Sequence, residues 1–352
     1  MEAYYYAHMS KHQQSVYFAM KEGLKSLLPS FAVPRAEGRE LTDIFFKLRL
    51  DCPEIFYVTG FKYRCYADSA NIEFVPDYLF DKAKIKEHIQ AMEARVTKLS
   101  RPAAAMTEWE KELYIHDFIC RNVRYDKLKK PYSHEIIGPL GQGVGVCEGI
   151  AKTVKILCDT LGIWCMIAVS EANPEKGIKY RHAWNVVRLG GNYYHLDATF
   201  DNSLSRDNMV RYDYFNLSDG RIFRDHEPVI CPVPLCSRDD SFYYREKKLS
   251  FTKMEDVSKR AIQAIRKRMP LVFQWRGGYL TREVLQELCH ELEAAANIRG
   301  KHARISLNWP QAVIYTEFSE VSAGREWVME QANQGEEQAA ASDIQETDKT
   351  AG

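Results

Sequence analysis

The sequence predicts an α+β protein in which a helix that opens on a cysteine packs on an antiparallel sheet, with small α/β regions on either side. Three observations predict it. Residues 147–161 carry small and apolar side chains at helical spacing, and runs rich in β-branched and aromatic residues follow at 163–169, 181–189 and 193–199. The last two runs flank Gly190-Gly191, a pair suited to a tight hairpin, so their strands should be antiparallel. Shorter mixtures of helical and strand patterns precede and follow this block.

Length and composition bound the rest. The chain has 352 residues, 45% hydrophobic and 27% charged, with 48 basic side chains against 48 acidic ones, which excludes collagen, overall disorder and a disulfide-stapled miniprotein. At about 100 to 200 residues per domain it should form two or three units. Zero formal net charge supplies no global attraction to nucleic acid or anionic lipid, so neither is an expected partner. The first fourteen residues lack a basic-then-apolar export signal, and the apolar run 163–169 is far below the roughly 20 residues needed to span a bilayer. Nine scattered cysteines, an odd count without a small-domain framework, favour a reducing cytoplasm.

Taken in order, residues 16–28 have helical spacing (Val16, Met20, Leu24, Leu27) up to Pro29. Strands are expected at 55–64 and 71–75, and a turn with a charged amphipathic helix at 76–99. Thr107 and Glu110 have capping-box spacing and open a helix that runs to about Val123. A polar stretch, 126–133, and a glycine-rich loop, 138–145, lead to the helix that starts at Cys147 and stops at Gly162. Beyond Tyr214 the chain is irregular and proline-rich to about Leu235. Helix, strand, helix, strand, strand follow at 254–269, 271–275, 281–296, 304–307 and 312–318. The expected organisation is an N-terminal mixed α/β region (1–100), a core (101–250), a small C-terminal α/β domain (251–330) and a disordered acidic tail (331–352).

Three segments carry reactive residues: 143–151 with Cys147, 181–185 with His182, and 193–201 with His195, Asp197 and Asp201. Cys147 sits where a glycine-rich loop becomes a helix, so unpaired N–H groups and the positive end of the helix dipole face its sulfur. An ordinary thiol is only about 3% ionised at pH 7, so full ionisation gains about 30-fold in nucleophile, roughly 2 kcal/mol of barrier. Placement and charge stabilisation must supply the rest. A hairpin symmetric about Gly190-Gly191 would pair His182 with Thr199 and Trp184 with Asp197, making His182 and Asp197 diagonal neighbours on one face. The carboxylate would then orient the imidazole while the other ring nitrogen meets the sulfur. His195 shares that face and competes for the role. Taken singly, such a cysteine is more often a small core residue and such a histidine structural; Cys158 and Cys165 read as buried packing. Asp201 and Asn185 read as holding turns and strands. Glu148, next to the sulfur, should face outward or meet a cation, because an unopposed carboxylate disfavours thiolate. A metal site at His226, Cys231 and Cys236 is the rival constellation, but the spacing fits no common zinc pattern and prolines intervene. Neither metal nor cofactor is expected.

The motifs Gly145-Val146-Cys147-Glu148-Gly149-Ile150-Ala151, His182-Ala183-Trp184-Asn185 and Asp197-Ala198-Thr199-Phe200-Asp201 resemble those of the transglutaminase-like superfamily, among the papain-like cysteine enzymes and their bacterial members. The order Cys, His, Asp and the separations of 35 and 15 residues agree as well. Further landmarks, His116-Asp117-Phe118, Val123-Arg124-Tyr125-Asp126 and the segment 214–219, extend the likeness from about Thr107 to Asp219. Ile150 departs from the pattern where an aromatic is frequent, and many relatives carry an export signal. The resemblance implies a transglutaminase-like catalytic core with Cys147 as nucleophile, His182 as general base and acid, and Asp197 as its orienting residue.

The expected activity is cysteine-dependent acyl transfer on an amide through a thioester, with a peptide or protein as substrate. The Cys147 N–H is an oxyanion donor, and Gln142 a second candidate. Hydrolysis by a peptidase or amidase, glutamine-to-lysine cross-linking by a transglutaminase, and a non-catalytic peptide-binding module on the same fold all remain open at this point.

Overall fold

The computed structural model describes residues 3–206 and 209–320; the expected acidic tail, 331–352, lies outside them. The chain divides into two compact units, one of Met1–Glu171, Arg181–Val210 and Val229–Leu235, the other of Ala172–Tyr180, Arg211–Pro228 and Cys236–Gly352.

In the first unit the N-terminal layer is a three-stranded antiparallel sheet with two helices. Strand Asn71–Tyr78 lies between Phe31–Pro34 and Val58–Cys65. Helix Lys11–Lys25 opens with a capping box, Ser10 and Gln13 each bonding the other's backbone. A helix at Gly38–Asp51, not anticipated from the sequence, buries Leu41, Ile44, Phe45 and Leu48. Its Phe45 meets Phe61 of the sheet at 5.1 Å, and Phe61 stacks on Phe74 at 4.6 Å. At the helix end both oxygens of Asp51 accept bonds from the Tyr5 and Tyr6 N–H groups, which fastens the start of the chain.

The rest of this unit is the α+β core that the sequence predicts. Helix Glu108–Asn122 carries both halves of the Thr107–Glu110 box. Helix Cys147–Leu161 ends at Gly162, whose φ of 81° is the left-handed conformation of a helix-terminating glycine. Strands Trp164–Ser170, His182–Leu189 and Asn192–Leu196 are consecutive and antiparallel, with Ile167 opposite Asn185 and Asn185 opposite Leu196. The hairpin register is the one symmetric about Gly190-Gly191: Leu189 faces Asn192 and Val186 faces His195. The third strand is shorter than its pattern suggested. It stops at Leu196, and Ala198–Leu204 is a helix for which Asp197 is the N-cap.

In the second unit, strands Ser250–Phe251, Leu271–Trp275, Val313–Glu320 and Lys301–Asn308 lie side by side in that order. The first pair is parallel and the others antiparallel. Helices Met254–Arg266 and Arg282–Asn297 bury Val257, Leu288 and Leu292 against Leu271, Phe273 and Ile314 of the sheet. Buried Asp213 accepts bonds from Arg211, Tyr244 and Asn308, so the irregular segment after residue 210 is tied to this sheet.

Candidate active site

Cys147 is the first residue of its helix and is half-buried. The N-cap is Val146, which makes no side-chain cap bond, so first-turn N–H groups are left open to a ligand, while Glu148 is the one acidic residue of that turn. The approach to the helix is built by short links. The Val146 N–H donates to the Ser133 carbonyl, the Asp126 N–H donates to the Gly145 carbonyl, and the Asp126 carboxylate accepts from the Leu128 and Lys130 N–H groups and the Ser133 hydroxyl. Gly149 is where this turn presses closest: a Cβ there would stand 2.1 Å from the Ser133 carbonyl oxygen. The glycine two residues after the cysteine therefore serves close approach.

His182 begins the neighbouring strand, and its Nε2 lies 2.6 Å from Asp197 Oδ2. The other oxygen, Oδ1, accepts the Thr199 and Phe200 N–H groups at 2.8 and 3.0 Å, so the cap of the short helix also sets the direction of the carboxylate. The imidazole is flanked by Phe200, with ring centroids 4.8 Å apart, and by the nearly parallel Trp184 ring at 5.8 Å. Burial by itself would lower the His182 pKa, but the Asp197 charge and hydrogen bond, together with the Cys147 thiol, outweigh it and hold the ring well above its ordinary value. Cys147 is thus among the groups that act on the His182 charge.

The other candidates separate from this group. His195 is buried, and its Nδ1 accepts the Trp184 indole N–H at 3.0 Å, which fixes the neutral tautomer with its proton on Nε2. Gln142 is exposed at the end of the wide, π-helical turn Gly138–Gln142. Asn185 donates to the Ala151 carbonyl at 3.0 Å and joins the middle of the Cys147 helix to the sheet. Asp201 meets His116 at 3.0 Å inside the unit and pins the short helix after Asp197 to helix Glu108–Asn122. Cys158 and Cys165 are buried, and a hydrogen bond with Cys165 together with burial pushes the Cys158 thiol up, the opposite of activation.

Glu148 does meet cations. Lys152 Nζ is 2.7 Å from its Oε1, the same ammonium is 2.7 Å from Glu135, and the Arg49 guanidinium bonds Glu135 and stands 3.7 Å from Glu148. Burial would push the Glu148 carboxyl up, but Lys152, the His134 ring and Arg49 hold it well below the usual carboxylate range. Sequence reasoning did not find Arg49 or Glu135; their only local signal is that charged residues stand in an apolar pattern.

Residues 93–198 match the family model of the transglutaminase-like superfamily, and Cys147, His182 and Asp197 all fall inside the match. This segment is similar to the core of that superfamily. Two solved structures resemble it distantly. One is a TGase, 14% identical with a TM-score of 0.28, where the match covers 40% of this chain and 44% of that one. The other is a proposed cysteine protease from Cytophaga hutchinsonii, 16% identical with a TM-score of 0.25, covering 40% of this chain and 62% of that one. The chain thus spans roughly half of the length of these structures. No curated protein matches the chain. Among the described residues, no helix is long and apolar enough to cross a membrane.

Proposed function

We propose that the protein is a cysteine-dependent acyl-transfer enzyme acting on amide bonds, most simply a peptidase or amidase, with Cys147 as nucleophile, His182 as proton carrier and Asp197 as the residue that orients it. The observation that carries this reading is the 2.6 Å bond between His182 Nε2 and Asp197 on a ring that also has Cys147 as partner. With Nε2 held by the carboxylate, Nδ1 is the nitrogen that exchanges a proton with the sulfur. A raised imidazole pKa keeps the ring protonated, which pairs an imidazolium with a thiolate.

In this mechanism the thiolate attacks the amide carbonyl carbon and the C=O electron pair moves to oxygen. The Cys147 N–H, at the uncapped helix end, donates to that oxyanion, with Gln142 as a second donor if the turn carries it inward. The tetrahedral intermediate collapses as the C–N bond breaks and the imidazolium gives its proton to the departing amine. The neutral ring then takes a proton from water, whose oxygen attacks the thioester, and the acid product leaves with the thiolate restored. An amine in place of that water gives cross-linking, which depends on an acceptor outcompeting water. Hydrolysis needs no such acceptor. We place the chemistry in a reducing compartment such as the cytoplasm, where nine free thiols persist.

The test is limiting iodoacetamide across about pH 5 to 9, with the modified cysteine mapped by peptide mass. Fast alkylation of Cys147 at pH 6, lost in His182→Ala, supports an enzyme. Labelling that follows an ordinary thiol titration in both proteins overturns it and leaves a binding module. Incorporation of a fluorescent primary amine into a glutamine-containing protein would move the reading from hydrolysis to transfer.

A further inference from the structure

The first turn of the Cys147 helix carries one end of a charged cluster. Glu148 follows Cys147 in sequence, and a bare carboxylate there opposes thiolate formation. A second carboxylate, Glu135, lies buried in the same place. Lys152, fully buried, stands 2.7 Å from both and can balance only one of them. The balancing charge comes from Arg49, which bonds Glu135 and lies 3.7 Å from Glu148. Arg49 belongs to helix Gly38–Asp51 of the N-terminal layer, outside the segment that matches the superfamily. From that helix Phe45 packs beneath its guanidinium, at 5.8 Å from the ring centre.

We propose that Arg49 is a positioning residue for Cys147: its charge completes the neutrality of the Glu135–Glu148–Lys152 cluster, so that the first turn of the Cys147 helix presents no net negative charge to the thiolate. This rests on Cys147 being the nucleophile. It gives the N-terminal layer a part in the chemistry, since the core segment by itself supplies two carboxylates against one ammonium, that of Lys152, and the His134 ring at this point. The titratable groups of the cluster are Arg49 from the N-terminal helix, His134 and Glu135 from the turn before residue 138, and Glu148 and Lys152 from the Cys147 helix, while His182, charged through Asp197, is the other titratable group coupled to Cys147. Only Arg49 among the cluster's cations comes from outside the core.

The test measures the pH midpoint of Cys147 alkylation by iodoacetamide, read by peptide mass, in the full chain and in Arg49→Met, Arg49→Lys, Glu148→Gln and the Arg49→Met/Glu148→Gln double variant. Removing the guanidinium should raise the midpoint by roughly one pH unit, the effect of one unit charge several ångströms away in a partly buried site. Removing the Glu148 charge should lower it by a similar amount, the double variant should return it near the wild-type value, and lysine at position 49 should largely preserve it. A packing role alone cannot produce opposite signs that cancel. If Arg49→Met leaves the midpoint in place, or both single variants move it the same way, the inference is wrong. Should Arg49→Met not fold, Glu148→Gln and Arg49→Lys decide: a Glu148→Gln midpoint that does not fall overturns the proposal. Failure of the nucleophile assignment shows separately, as a wild-type midpoint at the ordinary thiol value, while the differences between variants still report the charge coupling.

Discussion

Replacing Asp197 by asparagine separates two roles that one carboxylate combines. Oδ1 caps the helix Ala198–Leu204 through Thr199 and Phe200, and Oδ2 bonds His182 at 2.6 Å. Asparagine is as good an N-cap as aspartate, so the helix should be little affected. The charge is lost. With it goes the largest of the effects that hold the imidazole well above its ordinary value, the Asp197 charge. Burial, which lowers the ring, is then opposed mainly by Cys147, so the imidazole pKa should fall. An ordinary thiol, of pKa about 8.5, is about 3% thiolate at pH 7 and about 0.3% at pH 6. Labelling of Cys147 should therefore fall by up to about 30-fold at pH 7 and about 300-fold at pH 6 relative to a fully ionised sulfur. The assay is the second-order rate of iodoacetamide addition at Cys147, with far-UV circular dichroism to show that the fold persists. A folded Asp197→Asn protein that labels at pH 6 as fast as wild type would refute the reasoning.

Two further outcomes are expected. Gly149→Ala places a methyl 2.1 Å from a backbone oxygen, which no rotamer can relieve, so urea unfolding should show a loss of roughly 1–3 kcal/mol; an unchanged midpoint would mean that the Ser133 turn yields freely. In the buried His116–Asp201 pair, burial lowers the His116 pKa but Cys120, Asp117 and Asp201 together raise it well above its unfolded value of about 6.5. A raised folded pKa means that the pair's contribution is fully present below about pH 6.5 and is lost as pH rises through the folded value. The gap in melting temperature between wild type and His116→Gln should accordingly be widest in acid and narrow toward alkaline pH; a gap that widens with pH contradicts this sign.

The legibility of the core has a local cause. The Cys147 helix was readable to its ends because its apolar stripe, the preceding loop and the terminating Gly162 are all contiguous. The hairpin register followed from Gly190-Gly191 for the same reason. The strand that ends at Leu196 was read too long, since the β-branched and aromatic pattern continues through Thr199 while the Asp197 carboxylate captures the next two N–H groups and turns the chain into a helix. Helix Gly38–Asp51 escaped notice although Leu41, Ile44, Phe45 and Leu48 have helical spacing, because its N-cap, Glu37, makes no side-chain cap and the charged residues around it obscure the stripe.

From its sequence this protein shows the superfamily motifs, the α+β order of elements and the one cysteine, histidine and aspartate worth bringing together, since those depend on residue type and short-range spacing. The tertiary structure alone decides that Asp197 is a cap as well as a partner for His182, that His195 belongs to Trp184, and that Arg49 reaches Glu135 from 86 positions away. Such pairings are set by which surfaces pack, and a buried charge finds its partner in space with no trace in the neighbouring sequence.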